Sequence, residues 1–138
     1  MNRSIVIVIL FILALWWVRR EKREHYEVAR DPDSKELFQR LKDDLGRLYP
    51  DLSRLNLQAL VSCIPEDSFT EDKKHISICV RNKAGTYYPY AKLLKIGIHE
   101  LAHAMSKQID PEHKTPEFIN NYSFLMDKAI AMGYQVER

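Results

Sequence analysis

The sequence predicts an α+β fold, three to four helices with a small sheet, preceded by one apolar N-terminal helix. Three observations carry this expectation. Ile5 to Val18 is an unbroken run of 14 apolar residues. Later stretches repeat leucines and other apolar residues at helical spacing. Between them, His75–Val80 reads as a short strand. At 138 residues the chain suffices for one domain with its own core. The formal charge of +2 is unevenly distributed: residues 1–23 carry five basic residues against Glu21, which leaves −2 on the remainder. That remainder lacks the general basic footprint of a nucleic-acid binder, and no nucleic-acid partner is expected.

The first element, residues 1–18, is expected to be an uncleaved single-pass transmembrane anchor, with the lipid bilayer as partner through residues 4–18. A straight helix of 14 residues rises only ~21 Å against a hydrocarbon core of ~30 Å. Trp16 and Trp17 suit the interface, and Arg3, Arg19 and Arg20 can snorkel to lengthen the span. Bulky aromatics followed by arginines stand where a signal peptide needs small residues. One basic residue precedes the run and four follow it closely, which places the domain on the cytosolic or virion-interior side.

Residues 19–33 read as a polar juxtamembrane linker, and the domain is expected to occupy 34–138. Asp33 or Ser34 is the expected cap of a helix carrying Leu37, Leu41, Leu45 and Leu48, stopped by Pro50. The apolar spacing over Leu52–Ile64 favours a further helix, and Pro65–Lys74 reads as a charged loop. The strand ends in the turn chemistry of Arg81-Asn82-Lys83-Ala84-Gly85. A helix is expected from about Tyr90 to Gln108. The last helix opens with Thr115 as cap and Pro116 at its first position, and Gly133 stops it. Cys79, inside the run Ile76-Ser77-Ile78-Cys79-Val80, reads as a buried free thiol consistent with a reducing compartment, a bridge to Cys63 being the alternative.

The third helix contains His99-Glu100-Leu101-Ala102-His103, the HExxH pattern. Histidines four residues apart project from one helical face and can both reach a single Zn²⁺. Glu100 then stands beside the metal rather than on it, placed to take a proton from water. On the same helix Leu94, Ile98, Leu101 and Met105 form an apolar stripe nearly opposite the histidines. A catalytic zinc needs a third protein ligand, and His113, Glu117, Glu112 and Asp110 are the candidates. His25 and His75 have no such context. The strand His75–Val80 is the expected edge for an extended substrate. Tyr87, Tyr88 and Tyr90 either pack a loop or offer an oxyanion donor.

The string from Ile78-Cys79-Val80-Arg81-Asn82-Lys83 through Gly97–His103 to His113-Lys114-Thr115-Pro116-Glu117-Phe118 resembles the WLM/SprT-like zinc metallopeptidases. It is most similar to the compact version encoded by large DNA viruses of eukaryotes, over about 60 residues. The resemblance implies a minimal zincin-like domain, with His99, His103 and His113 as zinc ligands and Glu100 as general base. Cellular members place the third histidine six residues after the second, where this chain has Ile109. Their DNA-linked substrates are not carried over to a domain at −2.

The expected activity is therefore that of a membrane-anchored, zinc-dependent peptidase hydrolysing peptide bonds of polypeptide substrates. The expectation from another class is a non-catalytic, membrane-tethered structural or adaptor protein that retains the fold.

Overall fold

The computed structural model describes residues 2–24, 26–107 and 112–137, with the backbone alone for 17–24. Its elements run α1 (Arg3–Glu24), β1 (Glu27–Val28), α2 (Pro32–Leu48), β2 (Asn56–Val61), β3 (Phe69–Glu71), β4 (His75–Arg81), α3 (Tyr90–Met105) and α4 (Pro116–Ala131). Short 3₁₀ turns occupy Pro50–Arg54 and Pro65–Asp67. The α+β class with a small sheet is as expected, with three helices after α1 among the described residues and a sheet that is mixed; the transmembrane part of the expectation is overturned. Among the described residues no helix is long and apolar enough to cross a membrane. That finding overturns the single-pass anchor over 1–18, and with it the placing of the domain on the cytosolic or virion-interior side of a bilayer. The physical reason is length: the apolar rise of ~21 Å falls short of ~30 Å, and snorkelling had to supply the difference.

α2 begins at Pro32, two residues before the expected domain start. Asp31 is the N-cap, its carboxylate accepting the Ser34 N–H at 3.0 Å, and proline stands in the first turn where no donor is missed. Leu41, Leu45 and Leu48 are buried, as their spacing predicts. The helix expected over Leu52–Ile64 is instead a 3₁₀ turn and β2. Its leucines fit either period, and pairing decides: Leu57 and Ala59 lie beside Ile76 and Ile78 in a parallel ladder. Likewise the expected loop 65–74 contains β3, antiparallel to β4.

The strand order is β1-β2-β4-β3, so β4 is interior and β3 forms an edge. Alternation divides β4 between two faces. Ile76, Ile78 and Val80 face the helices and share one core with Leu41, Leu45, Leu94, Ile98 and Leu101. Cys79 faces the other way, into a smaller cluster with Leu60 and Cys63, flanked by Tyr26, Phe69 and Tyr88. There Cys63 and Cys79 are joined by a disulfide, which overturns the free-thiol reading. Leu60 pairs with Cys79, and the register shift after Leu60 together with left-handed Ser62 brings Cys63, just past the end of β2, into the same cluster. Cysteine usage thus gives no support to a reducing compartment.

α3 approaches α2 closely at Gly97, where an added Cβ would stand 2.9 Å from a Leu45 methyl. Beside this crossing lies the buried carboxylate of Asp44, 6% exposed. It accepts hydrogen bonds from Arg47 at 2.8 Å, from the Tyr134 hydroxyl at 3.1 Å and from the Tyr90 hydroxyl. Burial, reinforced by the Asp44 bond, holds the Tyr90 phenol well above its ordinary range. α4 ends as predicted, with Thr115 Oγ1 accepting the Phe118 N–H and Gly133 in the left-handed region.

The disulfide closes a loop containing the 3₁₀ turn Pro65–Asp67, β3 and most of β4. Constraint of the unfolded chain by a loop of this size is worth about 3 kcal/mol. Guanidinium unfolding with and without reductant should show a loss of that order, and an unchanged midpoint would contradict it.

Candidate metal centre

The two histidines of α3 stand one turn apart, with ring centroids 5.0 Å from each other. His113 reaches them from the segment before α4, its centroid 4.6 Å from His99 and 4.8 Å from His103. Its backbone is left-handed at φ 59°, a conformation that costs a non-glycine residue about 1 kcal/mol. One ligand nitrogen from each ring lies within 4.8 Å of the other two. A tetrahedral zinc with Zn–N near 2.0–2.1 Å sets its donors ~3.4 Å apart, so modest ring rotations bring these three into range. The donor chemistry also fits. Burial above all, then the charges of His103, His113 and Lys95, lowers the His99 pKa to about 4. Its ring is therefore neutral at pH 7, with a lone pair to give.

Phe118 forms the floor of this cluster. It is 4% exposed, with centroids 5.3, 4.4 and 5.2 Å from His99, His103 and His113. In the sequence it reads only as the first apolar residue of α4. Its second role follows from α4 packing against α3.

Glu100 follows His99 on α3 and is 5% exposed, in the wall of the cleft that the three histidines also line. Thr70 Oγ1 lies 2.7 Å from Glu100 Oε2 and 3.0 Å from the Glu100 carbonyl oxygen. Burial raises the carboxyl to about 7, against the lowering effect of the Thr70 bond. Thr70 went unseen because it belongs to a stretch that reads as a charged loop; the aromatic and β-branched pair Phe69-Thr70 was the available strand signal. Lys73 donates to the His103 carbonyl at 2.8 Å, a second bond beside that from the Ser106 N–H at the end of α3.

The alternative ligands stand elsewhere. Glu117 accepts the Lys107 N–H, and the exposed Glu112 pairs with Lys114 at 3.5 Å. Asp110, like Ile109 and His25, lies outside the described residues. His75 is exposed at the start of β4, 3.3 Å from the Asn56 amide nitrogen. The three tyrosines are packing residues with engaged hydroxyls: Tyr87 with Ser34 and Asp31, Tyr88 with the Cys63 carbonyl, and Tyr90 with Asp44. None of them lines the cleft. β4 does not serve as the expected edge, since β2 and β3 flank it; β3 holds that place. The histidines, Glu100, Phe69 and Thr70 line a cleft of about 790 Å³.

Fold and site together define a small α+β domain with an open three-imidazole cluster beside a buried carboxylate. The chain belongs to the same family as Uncharacterized protein 042R of Invertebrate iridescent virus 3, being 30% identical to it across 80% of this chain and 79% of that one. It is also similar to Uncharacterized protein 136R of Invertebrate iridescent virus 6, at 28% identity across 77% of this chain and 68% of the relative. Both relatives are viral, and neither name carries an activity. No family model and no solved structure matches the chain.

The raised Glu100 carboxyl has a consequence for the metal-free protein. Between its ordinary pKa and about 7 the unfolded chain releases this proton while the folded chain keeps it, so stability falls as pH rises through that window. Glu100→Gln removes the dependence. Relative to wild type, the variant should gain stability from about pH 4.5 to 7, reaching on the order of 1–3 kcal/mol. Thermal melts across that range, in chelator, check the slope; parallel curves would contradict it.

Proposed function

We propose that this domain is a zinc-dependent peptidase of the WLM/SprT-like zincin kind, hydrolysing peptide bonds of polypeptide substrates. The observation that supports it most is the juxtaposition in one open cleft of three converging imidazoles and the carboxylate held by Thr70. His99, His103 and His113 would hold the metal. A bound zinc supplies Lewis-acid polarisation of a carbonyl and makes water nucleophilic at neutral pH.

The chain's own groups provide the rest. Thr70 fixes one oxygen of Glu100, leaving the other to accept the proton of the attacking water and return it to the departing amine. β3, at the sheet edge and in the cleft wall, offers main-chain groups to an extended substrate, and this is what aligns a peptide across the site.

The other reading is a non-catalytic structural or adaptor protein that keeps the metal. An open cleft and a buried carboxylate speak against it, because a structural zinc closes its fourth position and needs no base.

Wild type should bind one zinc per chain, and His99→Ala, His103→Ala and His113→Ala should each weaken it strongly. Glu100→Gln should retain zinc yet lose 10²–10⁴ in turnover of peptides or casein, the usual worth of a positioned acid/base group. Metal content and turnover measured on the same samples decide. Equal turnover removes Glu100 from the mechanism; no turnover by either protein across a broad peptide library favours the adaptor.

A further inference from the structure

The histidine face of α3 continues toward its N-terminus as Lys95 and Lys92, one and two turns before His99, and both line the cleft. They are half-buried, and Ile96 lines the cleft with them. Among the described residues neither ammonium has a carboxylate within ion-pair distance. Glu137 also lines this end, held by its N–H on the Ala91 carbonyl, without pairing with either lysine. Across the cleft, the wall from the 3₁₀ turn to β4 presents Glu66 and Asp72, while Lys73 is engaged with the His103 carbonyl. Lys73 keeps its charge, so the far wall holds two carboxylates against one ammonium and the α3 end two ammoniums against Glu137; the two walls still differ in net sign.

An extended chain between such walls turns alternate side chains to each. We propose that Lys92 and Lys95 form a subsite for acidic side chains, which makes the preferred ligand of this cleft an acidic peptide. This deepens the peptidase reading and rests on it for the position of the reacting bond. Lys95 and Lys92 precede His99 by about 6 and 10 Å of helix. At ~3.3 Å per residue of extended chain, a side chain about two positions from the scissile bond comes level with Lys95 and within reach of Lys92, while its immediate neighbours face the opposite wall. Glu66 and Asp72 disfavour a second acidic side chain on the opposite side, so the pattern is one-sided.

The test measures binding, so it does not depend on cleavage. Short fluorescein-labelled peptides, identical except for two glutamates, two glutamines or two lysines, are titrated by anisotropy into the zinc-loaded full chain. A parallel titration uses Lys92→Glu/Lys95→Glu. Wild type should bind the glutamate peptide about tenfold more tightly than the glutamine one, the worth of one or two partly buried ion pairs. The reversed protein should invert the order in favour of lysine. Equal affinities for the three peptides, or an order unchanged by the reversal, overturn the subsite. Charge-dependent binding of a single-stranded oligonucleotide without discrimination among the peptides overturns it in favour of a nucleic-acid ligand. Inverted peptide preference without cleavage of any peptide leaves the subsite standing and refutes the peptidase reading instead.

Discussion

The structure depends on the seating of α3 over the helix-facing side of β4. Leu94, Ile98 and Leu101 are completely buried against the cluster that contains Ile76, Ile78 and Val80. Three fully buried leucine-sized side chains contribute several kcal/mol of burial, far more than any polar contact at the site. With that face fixed, 3.6 residues per turn leave no freedom for the other: Lys92, Lys95, His99 and His103 must share the cleft side. Gly97 sharpens the constraint by admitting Leu45, so α2 and α3 cross at a close fixed approach. The cleft chemistry is thus positioned by hydrocarbon packing on the far side of the same helix.

This explains what could be read from the chain. Helical periodicity is local, so His99, Glu100 and His103 were legible, as were the Thr115 cap and the Gly133 stop. His113 was one of several candidates because its reach across a turn depends on how α4 returns. What escaped was whatever needed pairing between distant strands. β2 carries leucines that suit either period, and only the ladder with β4 settles its form. Thr70 reaches Glu100 across 30 residues of chain, a partnership that no local signal announces. The apolar start of the chain was misjudged for a different reason: hydropathy is plain in sequence, but span is a length criterion that this run does not meet.

The sheet's second face explains the disulfide. Helices cover one side of β4; the other is closed by Leu60, the Cys63–Cys79 bond and three aromatic side chains. A three-residue edge strand has few ladder bonds of its own. The covalent link ahead of it and the Ser68 hydroxyl, which accepts the Cys79 N–H at 2.9 Å, hold the approach to β3 in place. The wall carrying Thr70 is therefore anchored in part from behind, by the disulfide and by Leu60, which do not line the cleft.

Asp44 carries a different implication, one concerning synthesis from the N-terminus. Its carboxylate meets Arg47 three residues on, Tyr90 46 residues on and Tyr134 90 residues on. A chain emerging from a ribosome therefore acquires the three donors in sequence, the last of them only after α4 has been made. Until then, closing the core around α2 and α3 buries a charge with part of its hydrogen bonding missing, which is unfavourable. The last donor also spans the longest loop, whose closure entropy must be met before the bond can form. Completion of the Asp44 network is thus deferred until the segment carrying Tyr134 has been made, well after α2 and α3.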